Sequence, residues 1–134
     1  MDLLINVDVQ ELEAGERFYC AALGLVVGRR FGRWGVELTG GASPIYLLEK
    51  EEGSRISETT NEVRAYKRHW TPVHLDFVVD DIEEAVERAV AAGATIEQPV
   101  AVQRWGKLAL MVDPFGNGFC FVQFLGRGYD EIAD

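Results

Sequence analysis

The chain opens on an apolar run, LLINVDV (residues 3 to 9), rich in β-branched residues and partly alternating with polar ones, which reads as a strand. In QELEAGERFYCAALGL the period changes: Leu12, Tyr19, Ala22 and Leu23 fall near helical spacing, acids crowd the first turn, and Gly24 ends the helix. LVVGRRF, RWGVELT and PIYLLEK then read as three strands joined by Gly-rich turns. The order is βαβββ.

The second half repeats that order. VHLDFVV (residues 73 to 79) is a strand, and DDIEEAVERAVAAG is a helix. Asp80 is its expected N-cap, with Glu83 three residues later completing a capping box. Ile82, Ala85, Val86, Ala89 and Val90 form its expected buried stripe. TIEQPVAVQ, GKLALMV and GFCFVQF close a second βαβββ.

The halves also match residue by residue. Leu4 to Val9 falls over His74 to Val79, Leu23-Gly24 over Ala92-Gly93, and Ile45 to Leu48 over Phe119 to Val122. The triplet Arg33-Trp34-Gly35 recurs as Arg104-Trp105-Gly106. Four matches in one order argue for duplication. The expected organisation is one domain over residues 1 to 134. Module 1 covers residues 3 to 50, a polar linker with at most a helical turn covers 51 to 71, module 2 covers 72 to 125, and a tail outside the sheet covers 126 to 134.

Composition narrows the partners. The 134 residues are 48% hydrophobic, enough for one proper core, and carry a formal net charge of -9. That balance argues against nucleic acid, whose phosphates select basic surfaces, and favours a neutral or cationic ligand. The start lacks a basic, cleavable leader, and no apolar run approaches a membrane span, so no membrane partner is expected. Cys20 and Cys120 form no CxxC pair, and two free thiols suit a cytoplasmic protein.

Two stretches resemble a known family. ELEAGERFYCAALGL resembles its first-helix pattern, an acidic cap before a Phe-Tyr pair and a Leu-Gly end. DPFGNGFCFVQF (residues 113 to 124) resembles its Asp-Pro-x-Gly signature before the last strand. Asp113, Pro114 and Gly116 suit a hairpin turn, because Pro pre-sets φ and Gly accepts positive φ. The family is the vicinal-oxygen-chelate (VOC) superfamily, which holds glyoxalases, bleomycin-resistance proteins and dioxygenases. The resemblance covers about residues 3 to 124. It implies an α+β fold of two tandem βαβββ modules forming a curved mixed sheet around a cavity.

The resemblance also implies a metal test. Metal-dependent members take His, Gln or Glu from the first and last strand of each module, and those slots fall here on Leu4, Tyr46, His74 and Cys120. Only His74 is a good ligand for such an ion. A one-residue shift would offer Glu49 or Gln123, each on the wrong face of its strand. No metal and no cofactor are therefore expected, with a bound divalent ion as the disfavoured alternative.

Strand parity names what would face the implied cavity. Asn6, Asp8, His74 and Asp76 share one face, while Ile5, Val7, Val9, Leu75, Phe77 and Val79 should pack under the helices. Acids on a dry inner face would be costly, so that face is wet, ligand-filled or internally hydrogen-bonded. If a pseudo-two-fold axis relates the modules, these four polar residues share a cavity floor with Tyr46 and Cys120 on flanking strands. Trp34, Trp70 and Trp105 would supply flat rings at its rim, with packing the favoured role for Trp34 and Trp105. Cys120, between two Phe residues, reads as an inert thiol.

These residues support two functions. The favoured one is metal-free binding of a small molecule by Asn6, Asp8, Tyr46, Trp70, Trp105 and Cys120 with His74 and Asp76. The alternative is a glyoxalase-like lyase or isomerase, or a dioxygenase, in which His74 and Asp76 do acid/base work or a divalent metal is bound. A regulatory module has no specific feature in its favour. The family's habit of pairing, and the hazard of open sheet edges, imply a homodimer.

Overall fold

The computed structural model describes residues 1 to 134, and the chain forms two compact units, Met1–Lys67 and Arg68–Asp134. The first contains β1 (Ile5–Val9), α1 (Leu12–Leu23), β2 (Val26–Phe31), β3 (Gly35–Thr39) and β4 (Ile45–Glu49). The second contains β5 (Leu75–Val78), α2 (Ile82–Ala92), β6 (Thr95–Gln103), β7 (Gly106–Val112), β8 (Gly118–Phe124) and a 3-10 turn, Gly128–Glu131. Each unit carries one four-stranded mixed sheet, ordered β1-β4-β3-β2 in the first and β5-β8-β7-β6 in the second. The α+β fold of two βαβββ modules is as the sequence implied, and neither sheet closes into a barrel.

Register preserves the duplication. β1 pairs parallel with β4 so that Asn6 faces Tyr46, and β5 pairs parallel with β8 so that Asp76 faces Cys120. One side of each sheet is apolar and covered by a helix. α1 packs on β3 and β4 through Leu12, Phe18, Tyr19 and Ala22, over Val9, Val36, Leu38 and Leu47. α2 packs on β6, β7 and β8 through Ile82, Ala85 and Ala89, over Ala109, Met111 and Phe121. Each fully buried Leu, Val, Ile or Phe contributes roughly 1.5–3 kcal/mol over its exposed state, so these layers hold the modules.

The helix ends are built alike. The N–H of Leu12 donates to Glu49 Oε2 at 2.8 Å, and the N–H of Ile82 donates to Gln123 Oε1 at 3.1 Å. The last residue of β4 and its counterpart in β8 thus satisfy the first free N–H of the helix in their own module. Both side chains therefore lie on the helix side of their sheets, away from the polar face. Gly24 and Gly93 end the helices in the left-handed conformation, with φ of 67° and 117°.

Two local expectations are corrected. The N-cap of α2 is Asp81, not Asp80; its carboxylate accepts from Glu84 N–H at 3.0 Å, one residue further along than the Asp80–Glu83 pairing. Val90 is 43% exposed instead of buried, because the sheet covers only the narrower stripe through Ala89. The segment from residue 51 has no helical turn and folds back on itself through a bridge between Arg55 and Val63. Its last residues, from Arg68 on, belong to the second compact unit.

Candidate functional site

β5 alternates strictly. Leu75 and Phe77 turn to the covered side, so His74 and Asp76 stand together on the other. His74 Nε2 lies 3.2 Å from Asp76 Oδ1. Cys120, directly across on β8, adds its thiol, and the ligand atoms of the three side chains all lie within 4.8 Å of one another. Burial, the charge of Asp76 and a hydrogen bond to that carboxylate push the Cys120 thiol up to about 12. The sulfur is therefore a protonated donor at neutral pH, not a nucleophile. The sequence reading of an inert thiol agrees with this chemistry, but the cysteine sits beside two polar groups as well as between two Phe residues.

A cavity of about 190 Å³ opens beside this cluster, lined by His74, Cys120, Trp70, Leu110 and Phe119 among others. Its rim is an ion pair. Arg68 donates from Nε to Glu97 Oε1 at 2.7 Å and from Nη2 to Glu97 Oε2 at 2.9 Å, while Nη1 donates to the His69 carbonyl. The guanidinium lies against Gly118, where an added Cβ would come within 2.8 Å of Arg68 Nη2. Trp70 is 78% exposed and is not part of the core.

The matching face of the first unit is internally bonded. Tyr46 donates its hydroxyl to Glu37 Oε1 at 2.9 Å and accepts from Arg29 Nη2 at 3.1 Å. Arg29 also grips Glu37 through Nε at 2.9 Å and Nη2 at 2.6 Å. These bonds hold the Glu37 carboxyl down at about 2 and raise the Arg29 and Tyr46 values. Asp8 accepts from Arg64 Nε at 2.7 Å, which ties the segment after β4 to β1. Asn6 is exposed beside Tyr46.

The structure thus gathers Trp70, His74, Asp76 and Cys120 in the second unit and Asn6, Asp8 and Tyr46 in the first. Trp105 packs against Phe124 at 6.1 Å and Tyr129 at 5.1 Å, so the tail's 3-10 turn is its partner. Trp34 stacks on Phe31 at 5.8 Å yet stays 57% exposed. Sequence reasoning missed Arg29, Glu37, Arg64, Arg68 and Glu97. Glu37 had a signal, as the one charge in the apolar strand GVELT. Arg64 and Arg68 had none, since they stand among other charges in a segment without periodicity.

A family model described as a glyoxalase-like domain matches residues 4–122. The chain belongs to this glyoxalase-like family of the VOC superfamily. It is 32% identical over 133 residues to the anthracycline biosynthesis protein DauV of Streptomyces sp. (strain C5), covering 97% of this chain and 43% of that protein. It is 31% identical over 122 residues to the anthracycline biosynthesis protein DnrV of Streptomyces peucetius, covering 90% and 40%. The chain therefore spans about two fifths of the length of these curated relatives. A glyoxalase/bleomycin resistance protein/dioxygenase family enzyme from Burkholderia phytofirmans PsJN shares the fold. Its TM-score is 0.72 at 23% identity, covering 93% of this chain and all of that one.

Of the four metal slots that the resemblance implies, two carry no free ligand in this glyoxalase-like chain. Leu4 is apolar and 58% exposed, and the Tyr46 hydroxyl is already engaged by Glu37 and Arg29. His74, Asp76 and Cys120 are close enough to touch one ion, although sulfur suits softer metals than an ion that must polarise paired oxygens. No helix is long and apolar enough to cross a membrane.

Proposed function

We propose that this glyoxalase-like chain binds a small organic molecule in the cavity beside His74 and does so without the superfamily's catalytic metal. The observation that carries the reading is the pairing of an open, largely apolar cavity with a few convergent polar groups, His74 and Cys120 backed by Asp76, and an exposed indole at Trp70. The misfit of Leu4 and Tyr46 to the metal slots supports the metal-free part. The relatives' names make an anthracycline-type molecule the first class to screen.

The test is a thermal-shift screen of a chemically broad library with and without divalent metals. Compounds should raise Tm in a metal-independent way, and His74→Ala and Trp70→Ala should abolish the shift while leaving the free protein's Tm nearly unchanged. A library that stabilises only when metal is added, or elemental analysis showing about one transition metal per chain, would overturn the reading.

One observation favours turnover as a second reading. The 3.2 Å His74–Asp76 contact is the geometry of an imidazole oriented by a carboxylate for acid/base work. A bound compound recovered chemically changed by the wild type, and unchanged by His74→Ala, would select it. We further propose a homodimer, the arrangement that covers sheet edges such as β6 and β2. Sedimentation at micromolar concentration should return twice the chain mass, and a clean monomer removes the claim.

A further inference from the structure

We infer that the cavity of the second unit selects a flat, largely apolar molecule carrying a nitrogen-borne positive charge, with Asp76 as the charge that recognises it. The inference rests on the binding reading above and concerns the chemistry of what is bound.

The argument is an inventory of donors and acceptors. Arg68 is the cationic group of the cavity wall, and its guanidinium nitrogens are engaged by Glu97 and by the His69 carbonyl. A ligand carboxylate or phosphate would have to break a two-point ion pair to reach it. Glu97 is neutralised in the same contact. Asp76 has no such cation. Its neighbours are an imidazole at 3.2 Å and a thiol, and neither carries a fixed positive charge. The Cys120 thiol is driven toward its neutral form by burial and by the carboxylate beside it, so it adds no negative charge to this corner.

The carboxylate is neither sealed in nor bathed in bulk water, with its side chain 38% exposed. It lies directly beside His74 and Cys120, which line the cavity together with the apolar Leu110, so a charge pair there is screened less than on an open surface. The corner therefore offers acceptors and negative charge, and few free donors. Trp70, with its 78% exposed ring, gives a flat apolar body a stacking face and adds attraction for a cation. The chain's net charge of -9 concentrates cations near the surface and repels anions.

Three tricycles of the same shape test the idea by titration calorimetry at pH 8: 9-aminoacridine as the cation, acridine as the neutral form and acridine-9-carboxylate as the anion. The cation should bind about tenfold tighter than acridine and the anion about tenfold weaker. Asp76→Asn should reduce the cation's advantage to roughly threefold or less with acridine's affinity unchanged. Arg68→Gln, which frees the Glu97 carboxylate, should enlarge it. Circular dichroism confirms that each variant is folded; should Asp76→Asn not fold, the wild-type ranking and Arg68→Gln decide.

Equal binding of acridine and 9-aminoacridine, tighter binding of the carboxylate, or a cation preference that survives Asp76→Asn overturns the inference. Those outcomes leave the binding reading standing. Failure of all three tricycles overturns the inference too, while the broad thermal-shift screen separately decides whether the cavity binds anything.

Discussion

In the first module the residue across from Asn6 is Tyr46, and its hydroxyl is locked into a network with Glu37 and Arg29; in the second, the residue across from Asp76 is Cys120, and the space beside it is open. The two positions are related by duplication and share a register. One module has filled its polar face with side-chain bonds that satisfy each other, and Arg64 extends this by tying down Asp8. The other has kept two polar residues on β5 next to a cavity, with a leucine, Leu110, at the register position where the first module has Glu37. Buried polar groups cost free energy unless they are bonded, so a polar face must either bond itself or stay accessible to water or ligand. The duplicated modules show both solutions.

The largest effect that separates the modules concerns their shared Trp-Gly turns. A side chain at Gly35 would find its nearest neighbours at 3.5 Å, an ordinary contact. At Gly106, with φ of 155°, it would run into the Gln123 carbonyl on β8. Gly106→Ala should therefore destabilise by roughly 3 kcal/mol and Gly35→Ala by well under about 1 kcal/mol, read by chemical denaturation. Equal costs would show that the two hairpins are equivalent after all.

Next comes the contrast between Glu37 and Asp76. Glu37→Ala leaves Arg29 and Tyr46 without their shared acceptor and should lower Tm by several degrees, whereas Asp76→Ala should leave Tm nearly unchanged and weaken ligand binding. Acid sharpens the point. The Glu37 carboxyl lies at about 2 when folded, below its ordinary value of 4.5, so its contribution is complete above that ordinary value and is lost as pH falls toward 2. Glu37→Gln should remove that part of the acid sensitivity. A wild-type acid profile unaltered by the substitution would break the proposed difference between the faces.

The smallest effect is at Cys120. Its folded thiol lies at about 12, above the ordinary 9.0, so its contribution is present below pH 9 and is lost as pH rises from there toward 12. At pH 8 iodoacetamide should label Cys120 slowly in the folded protein. Asp76→Asn should speed labelling by withdrawing the neighbouring charge, but not to the rate of a free thiol, because burial still raises the value. Unchanged labelling would mean that Asp76 does not act on the sulfur.

Much of this was legible in the chain. Hydrophobic period fixed the order of strands and helices, because an element with one covered face must place apolar residues every second or every third to fourth position. β6, β7 and β8 have the bounds expected from their runs. The slip from Asp80 to Asp81 has a local cause: two adjacent Asp residues can both cap, and only the backbone turn into α2 chooses between them. Trp70 was singled out from composition, but nothing in residues 51 to 71 told that its end, from Arg68, would supply a cavity wall.

By itself, then, the sequence determined the two βαβββ modules, the helix-covered side of each sheet, and the pairing of His74 with Asp76 on the other side, since alternation along a strand is a property of the backbone. Only the tertiary structure decided that Arg29 and Glu37 close the first face and that Arg68 and Glu97 rim a cavity on the second. The reason is reach. A strand's period says which way a side chain points, but a long Arg or Glu side chain finds its partner among strands and segments far along the chain, 8 residues away for Arg29 and 29 for Arg68, and that choice exists only once the chain has folded.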